Sequence, residues 1–360
     1  MPEIVSLFSG CGGLDIGFKM ANHKIIWANE NDREICEVYN QNLKDDIICN
    51  DIKNIAIKDI PDCDILIGGP PCQAFSMIGK RRTDDKNFNL IWDYVKVLER
   101  KKPQKFLIEN VVGLKSATDE LGNNVVELLK KKISKLGYSV NSGVLNAADF
   151  GVPQRRRRFF ILGKLGKEKI ELPQPTHSEF PENNKIMKWV TVQDAIGDLP
   201  IPKNVEFLKY TKKPITEYQK WARKNSKDVR NHKIPTLSEL DKKIISYVTE
   251  GGNYMDVPDS IPSTRIKKYK ISGGRTTTYG RLDRKKPAYT INTYFSRLNV
   301  GCNIHYSQDR LITVREGLRL QSFPDTFVIP SELTKRAQYK IVGNAVPPNL
   351  SFALAKSFEN

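Results

Sequence analysis

The sequence lacks cysteines paired at metal-binding spacing. Its six cysteines, at positions 11, 36, 49, 63, 72 and 302, include no Cys-x-x-Cys. That argues against a structural zinc or other metal, and for a reducing compartment in which the chain folds without disulfide staples. No apolar stretch is long enough to span a bilayer. Met1-Pro2-Glu3-Ile4-Val5 runs directly into a strand pattern, without the basic and apolar regions of a secretory leader. The expectation is therefore a soluble, cytoplasmic protein.

Acidic balance is missing from the second half of the chain. The overall net charge is +17, yet residues 1–154 carry 20 Lys and Arg against 21 Asp and Glu, whereas residues 155–360 carry 38 against 20. A cationic excess confined to one region suits a phosphate backbone, which it binds by releasing counterions, and such binding weakens steeply with salt. A solvated basic face without a partner is the plainer reading of the same numbers.

What is present is a long alternation of short β-rich runs and helical stretches over residues 3–164. The runs are Ile4–Phe8, Ile25–Ala28, Ile47–Cys49, Ile65–Ile67, Phe106–Ile108 and Phe159–Leu162. Between several of them, Asp32–Leu43, Leu90–Lys101 and Asn124–Leu136 have helical apolar spacing. This predicts an α/β domain with a mostly parallel, doubly wound sheet. After Gly163 the texture changes to short strand-like pieces broken by Pro, Gly and Lys, with no repeat between residues 190 and 318. A second, smaller, irregular β-rich domain is expected there. The predicted division is 1–190 for the first domain, 191–318 for the second, and 319–360 for a hinge and a return to the first. Helical patterns reappear in Thr313–Gln321, Leu333–Ile341 and Pro347–Phe358.

Several strand ends carry residues suited to chemistry, at the edge where open α/β sheets hold their ligands. Phe8-Ser9-Gly10-Cys11-Gly12-Gly13-Leu14-Asp15 links the first strand to a helix, but its Gly-x-Gly-Gly spacing departs from the Gly-x-Gly-x-x-Gly phosphate fingerprint. The departure favours a nucleoside cofactor other than a nicotinamide dinucleotide. Glu30, ending the second strand, is placed to accept from a ribose diol, and Asp51, after the third, from an adenine amino group. Each alone reads better as a surface acid, but the series at successive strand ends does not. Gly68-Gly69-Pro70-Pro71-Cys72-Gln73 sets a thiol on a rigid turn after the fourth strand, a positioned nucleophile or else a packed cysteine. Glu109 ends a further strand and can hydrogen bond to, or protonate, a ring nitrogen. In Gln154-Arg155-Arg156-Arg157-Arg158, alternation puts Arg156 and Arg158 on one face of a strand.

With these residues assembled, the chain resembles the cytosine-C5 DNA methyltransferases that use S-adenosylmethionine. Phe8–Leu14, Gly69-Pro70-Pro71-Cys72-Gln73, Glu109-Asn110-Val111, Gln154–Arg158, Arg315-Glu316 with Gln321-Ser322-Phe323-Pro324, and Gly343-Asn344-Ala345-Val346-Pro347 follow the family's order. The resemblance covers nearly the whole chain.

The resemblance implies a methyltransferase sheet, a basic DNA-recognition domain, and a catalytic set of Cys72, Glu109, Arg158 and, as second choice, Arg156. It implies cofactor contacts from Phe8, Gly10, Gly13, Leu14, Glu30, Asn31, Asp51, Ile52, Pro70, Leu90, Asn344 and Val346. Where some relatives carry an aromatic residue after the ribose acid, Asn31 follows Glu30, so adenine stacking comes from elsewhere, with Phe8 the candidate, or is weaker. DNA contacts are expected from Gln73, Ser76, Lys80, Arg81 and Arg82 in a closing loop, and from Arg275, Arg281 and Arg297. The implied product is S-adenosylhomocysteine. The implied setting is a bacterial restriction-modification system, with a monomer acting on a flipped-out base in double-stranded DNA and paired functionally, not physically, with an endonuclease.

Three other readings compete. Methylation of transfer RNA lacks the Cys-Phe-Thr tripeptide associated with that branch. A catalytically inactive DNA-binding protein leaves Cys72, Glu109 and Arg158 without a task. A nicotinamide oxidoreductase leaves Pro-Pro-Cys unexplained.

Overall fold

The structure, a computed structural model, describes residues 1–45, 47–71 and 90–359. The chain divides into two compact units. Unit 1 comprises residues 1–146, 157–175 and 348–360, and unit 2 comprises residues 147–156 and 176–347.

Unit 1 is built on a seven-stranded sheet. In chain order its elements begin β1 (Glu3–Leu7), α1 (Gly13–Met20), β2 (Lys24–Glu30), α2 (Arg33–Leu43), β3 (Ile47–Cys49) and β4 (Ile65–Gly68). They continue with α3 (Leu90–Lys101), β5 (Lys105–Val111), α4 (Val125–Lys135) and β6 (Tyr138–Asn146). After the short β7 (Gln154–Arg155), which belongs to unit 2, comes β8 (Arg157–Leu165). The strand order is β3-β2-β1-β4-β5-β8-β6. The first five strands in that order pair in parallel, and β8 runs antiparallel between β5 and β6.

Local chemistry accounts for these elements. Ile65, Leu66 and Ile67 are all buried, as expected where a parallel strand is covered on both faces and reads as a continuous apolar run. Asp32 caps α2 by accepting from the Glu34 amide at 3.2 Å, and Asn124 caps α4 by accepting from the Glu127 amide at 3.1 Å. Because β1 and β4 are neighbours while the chain winds outward from β1 to β3, the sheet reverses direction between β1 and β4. Ligands of doubly wound sheets bind at that switch point, beyond the carboxyl ends of the strands.

The last helix, α11 (Pro348–Ser357), lies in unit 1. Ser351 Oγ donates to the Leu14 carbonyl, and a Cβ on Gly17 would collide with Ser351, so α1 and α11 are in contact at backbone range.

Unit 2 differs from the expected small β-rich domain. It is about as long as unit 1, and among the described residues its strands are mostly two-residue pairings. They are β7, β9 (His177–Ser178), β10 (Met187–Lys188), β11 (Phe207–Leu208), β12 (Val229–Arg230), β13 (Gly280–Arg281), β14 (Ala288–Tyr289) and the longer β15 (Cys302–Ile304). Its helices are α5 (Val192–Ile196), α6 (Glu217–Arg223), α7 (Glu239–Ile245), α8 (Thr264–Ser272), α9 (Val314–Leu320) and α10 (Lys335–Asn344). Buried ion pairs hold it together. Arg319 binds Asp325 and Asp198, Arg310 binds Glu316 through both terminal nitrogens, and Arg315 donates to the carbonyls of Arg230, Pro324 and Phe327.

Unit 2 takes in residues 147–156 and 176–347, and of the residues after 318 only 348–360, with α11, lie in unit 1. One expectation is corrected here. The cysteines are not all free thiols: Cys36 of α2 and Cys49 of β3 form a disulfide, with Cα atoms 6.0 Å apart. No helix among the described residues is long and apolar enough to cross a membrane.

Candidate active site

The carboxyl edge of the unit 1 sheet gathers several of the residues singled out from the sequence. β1 ends in the turn Phe8–Gly12, where Phe8, Gly10 and Gly12 all have positive φ, at 54°, 56° and 85°. Glycine takes that conformation without strain, and for Phe8 it is an uncommon one. A Cβ on Gly10 would meet no described atom within 4 Å, so the turn opens onto free space. Gly13 and Leu14 are buried at the start of α1.

Glu30 closes one side of this turn. Its Oε2 accepts from the Gly10 amide at 3.1 Å, and its Oε1 accepts from the amides of Asn31 at 2.8 Å and Asp32 at 3.1 Å. Burial pushes the Glu30 carboxyl upward, and the three amides pull the other way without cancelling the effect. Asn31 is exposed. Asp51 Oδ1 accepts from the Lys53 amide at 3.0 Å and so caps the turn that contains buried Ile52. Asn29 fastens the two strand ends, donating to the carbonyls of Ile48 at 3.0 Å and Asn50 at 2.8 Å. An open glycine turn flanked by two strand-end carboxylates fits a nucleoside, whose hydroxyl and amino groups are donors.

The second cluster lies across β4, β5 and β8. Arg158 Nε is 3.1 Å from Glu109 Oε1, and both side chains are mostly covered, at 15% and 13% exposure. Burial lowers the Arg158 pKa and the Glu109 carboxylate raises it. A Cβ on Gly69 would sit 3.2 Å from Glu109 Oε2, so the carboxylate lies against the turn that follows β4. Asn110 secures the same turn, its Nδ2 donating to the Pro70 carbonyl at 3.1 Å while its Oδ1 accepts from the Val111 amide at 2.9 Å. Tyr94 of α3 brings its hydroxyl to 2.8 Å and 3.0 Å of the Leu66 and Leu107 carbonyls, bridging β4 and β5 beneath it. Pro70 and Leu90 are buried. The sequence reading assigned no role to Asn110 or Tyr94; the signal available for Asn110 was its place beside Glu109.

Cys72, Gln73, Ser76, Lys80, Arg81 and Arg82 lie outside the described residues. Of the other cysteines, burial pushes the Cys11 and Cys302 thiols up to about 12 and the Cys63 thiol to about 11. None of these three is a thiolate at neutral pH, and Cys36 and Cys49 are paired.

In unit 2, Asn344 is exposed and Val346 half-buried after α10. Arg156 does not share a strand face with Arg158, because the ladder breaks between β7 and β8 and residue 156 belongs to unit 2. Its guanidinium is fully buried and donates to the carbonyls of Ile291 at 3.0 Å and Gly343 at 2.9 Å. Arg156 is thus tied to two backbone carbonyls within unit 2. Gln154 has a similar task, bonding Leu320, Gln321 and Ile291.

Arg281 is likewise tied to backbone. Its guanidinium is buried and donates to the carbonyls of Val248, Ile245, His305 and Gln308 and to Asp309, leaving nothing for a DNA phosphate. Arg275 and Arg297 are exposed, and Arg297 stacks on Tyr294 with its guanidinium carbon 5.1 Å from the ring centre.

Comparison with known proteins gives the family and the fold. The family model described as C-5 cytosine-specific DNA methylase matches residues 3–360. The Type II methyltransferase M.NgoFVII of Neisseria gonorrhoeae is 34% identical over 99% of this chain and 86% of its own length. M.AgeI of Thalassovita gelatinovora is 30% identical over 99% of both. Among solved structures, the Dnmt2 methyltransferase of S. pombe superposes with a TM-score of 0.60 at 18% identity, covering 100% of this chain and 99% of that one.

Proposed function

Since the chain belongs to the C-5 cytosine-specific DNA methylases, we propose that it methylates carbon 5 of a flipped-out cytosine in double-stranded DNA through a covalent adduct on Cys72. The observation that carries this reading is the 3.1 Å Glu109–Arg158 pair, set against the Gly69–Pro70 turn that leads to Cys72. Carbon 5 of cytosine is a weak nucleophile within an aromatic ring. Addition of the Cys72 thiolate at carbon 6 breaks the aromaticity and sends the electron pair towards carbon 5. Glu109 assists by hydrogen bonding to N3 and the amino group, and Arg158 by polarising the O2 carbonyl. Glu30 and Asp51 would hold S-adenosylmethionine at the Gly10 turn, where it would supply an electrophilic methyl group for carbon 5, its S–CH3 bond breaking to leave S-adenosylhomocysteine. Loss of the carbon-5 proton and departure of the Cys72 thiolate then restore the ring.

The target base leaves the stack at a cost of a few kcal/mol, offset by contacts in the pocket. The chain acts as a monomer, and its methylation protects host DNA from a cognate endonuclease. Support for that setting comes from relatives named as Type II methyltransferases.

The test is base-resolution methylation sequencing of plasmid DNA from cells lacking cytosine methylation, expressing the protein or its Cys72→Ser variant. Methylation of one short motif, lost in the variant, is the expected result. Unmethylated DNA from well-expressed protein would overturn the DNA reading and direct attention to RNA.

A further inference from the structure

Beneath the glycine turn lies a carboxylate with no place in the chemistry above. Asp15, in the first turn of α1, is fully buried. Its Oδ1 accepts from Ser6 Oγ of β1 at 2.7 Å, and its Oδ2 accepts from Tyr39 Oη of α2 at 2.7 Å. Ser9, inside the turn, donates from Oγ to the Ser6 hydroxyl at 2.9 Å. The Tyr39 ring packs against the same turn, with its Cε2 3.1 Å from where a Cβ on Gly12 would stand.

A buried carboxylate without a cationic hydrogen-bond partner is an expensive way to join three elements. Apolar side chains of similar volume are often as stable or more so, so such a network serves position better than stability. Here the position is specific. Glu30 holds the turn at Gly10 from the ligand side, while Asp15 holds it at Ser9 and, through Tyr39, at Gly12 from below. We propose that Asp15 is the positioning residue of the glycine turn, acting through Ser6 and Tyr39 to hold Gly10 at the height where a nucleoside cofactor meets both its amide and Glu30. This rests on the reading that the turn binds S-adenosylmethionine.

Only the ionised carboxylate accepts both hydroxyls. Burial pushes the Asp15 carboxyl up to about 6, against the lowering effect of Tyr39 and Ser6. The charged groups acting on it are Asp45, which raises it further, and Lys19 on α1, which lowers it. Protonating Asp15 requires one hydroxyl to turn round and accept, and the turn loses an anchor. Cofactor affinity should therefore fall as the pH drops through about 6.

The test is calorimetric binding of S-adenosylhomocysteine to the full chain as wild type, Ser6→Ala, Tyr39→Phe and Asp15→Asn, with thermal unfolding measured in parallel. Tyr39→Phe and Ser6→Ala keep the fold's volume and stand in should Asp15→Asn fail to fold. Expected are an increase in Kd of about tenfold for each, the scale of a lost hydrogen bond to a charged group, with kcat at saturating cofactor within about twofold. The acid limb of binding should move to lower pH in Asp15→Asn. Variants that bind like the wild type and differ only in melting temperature would overturn the positioning role. A wild-type protein that binds no S-adenosylhomocysteine would instead overturn the cofactor reading on which the role rests.

Discussion

Glu109 and Arg158 face each other across the antiparallel β5–β8 pair, carboxylate to guanidinium at 3.1 Å, although they lie in different motifs of the chain. The register that pairs Val111 with Arg158 brings the start of β8 to the end of β5. Each group orients the other, and Arg158 is steadied further by donating from Nη1 to the Arg157 carbonyl at 2.9 Å. Replacing Glu109 by Gln, or Arg158 by Ala, should lower the single-turnover methylation rate by about 10²- to 10³-fold, the scale for a lost acid–base or electrostatic group. The double variant should lose far less than the product of the two, because they act as a unit. Purely multiplicative losses would mean that the pair is not a functional couple.

A second expectation concerns the thiol. Because burial pushes Cys11, Cys63 and Cys302 well above neutrality, alkylation near pH 7 should modify Cys72 first among the unpaired cysteines. DNA carrying 5-fluorocytosine should trap the protein at that residue, since the fluorine cannot leave carbon 5 as a cation and the adduct cannot resolve. Peptide mass spectrometry reads both. A trapped adduct on any other cysteine would remove Cys72 from the mechanism.

Much of unit 1 was legible because its strands are short apolar runs that end in glycine, proline or an acid. Three features were not legible, each for a physical reason. β6 reads Tyr138-Ser-Val-Asn-Ser-Gly-Val-Leu-Asn146, half-buried along most of its length, so its apolar signal is weak. Alternation correctly pairs residues two apart on a strand but cannot see that the chain passes from unit 2 to unit 1 between Arg156 and Arg157. Arg281 looks like a surface cation because sequence carries no sign of the backbone carbonyls that collect around it in the fold.

The arginines of unit 2 should separate by experiment. Arg281→Ala leaves several buried carbonyls and Asp309 without their donor, and should destabilise the protein by about 3 kcal/mol or more. Arg275→Ala and Arg297→Ala, at exposed positions, should leave the melting temperature unchanged. Each should lower the slope of log K against log salt for DNA by about one if it meets a phosphate. Denaturant unfolding and salt-dependent binding measure the two effects. Normal stability in Arg281→Ala would contradict its structural assignment.

Acid should soften unit 2 before unit 1, and the titrating groups give the order. Burial lowers the His305 pKa to about 4 and lowers that of His232, although the Glu316 carboxylate opposes this in both. At neutral pH His305 is therefore uncharged, and the charge of Glu316 is answered by Arg310. A histidine lowered by folding binds fewer protons folded than unfolded, so stability falls as the pH drops from about 6.5 to about 4. For His305 alone the loss reaches about 3 kcal/mol at the lower end. Glu316 acts next: burial would raise its pKa, but Arg310 overrides burial and holds it well below the usual carboxylate range. Its contribution is present above the unfolded value near 4.3 and disappears below it. Asp15 in unit 1 has the opposite sign, because its carboxyl is raised to about 6 and its folded form gains protons over the same window, offsetting His23, which burial lowers. Hydrogen exchange resolved by peptide, corrected for intrinsic rates, should show opening free energies in α9 and β15 declining between pH 6.5 and 4.5 while those in β1 and α1 hold or rise. His305→Gln should flatten the decline. A slope of equal size in both units would mean that the buried histidines do not govern the acid response.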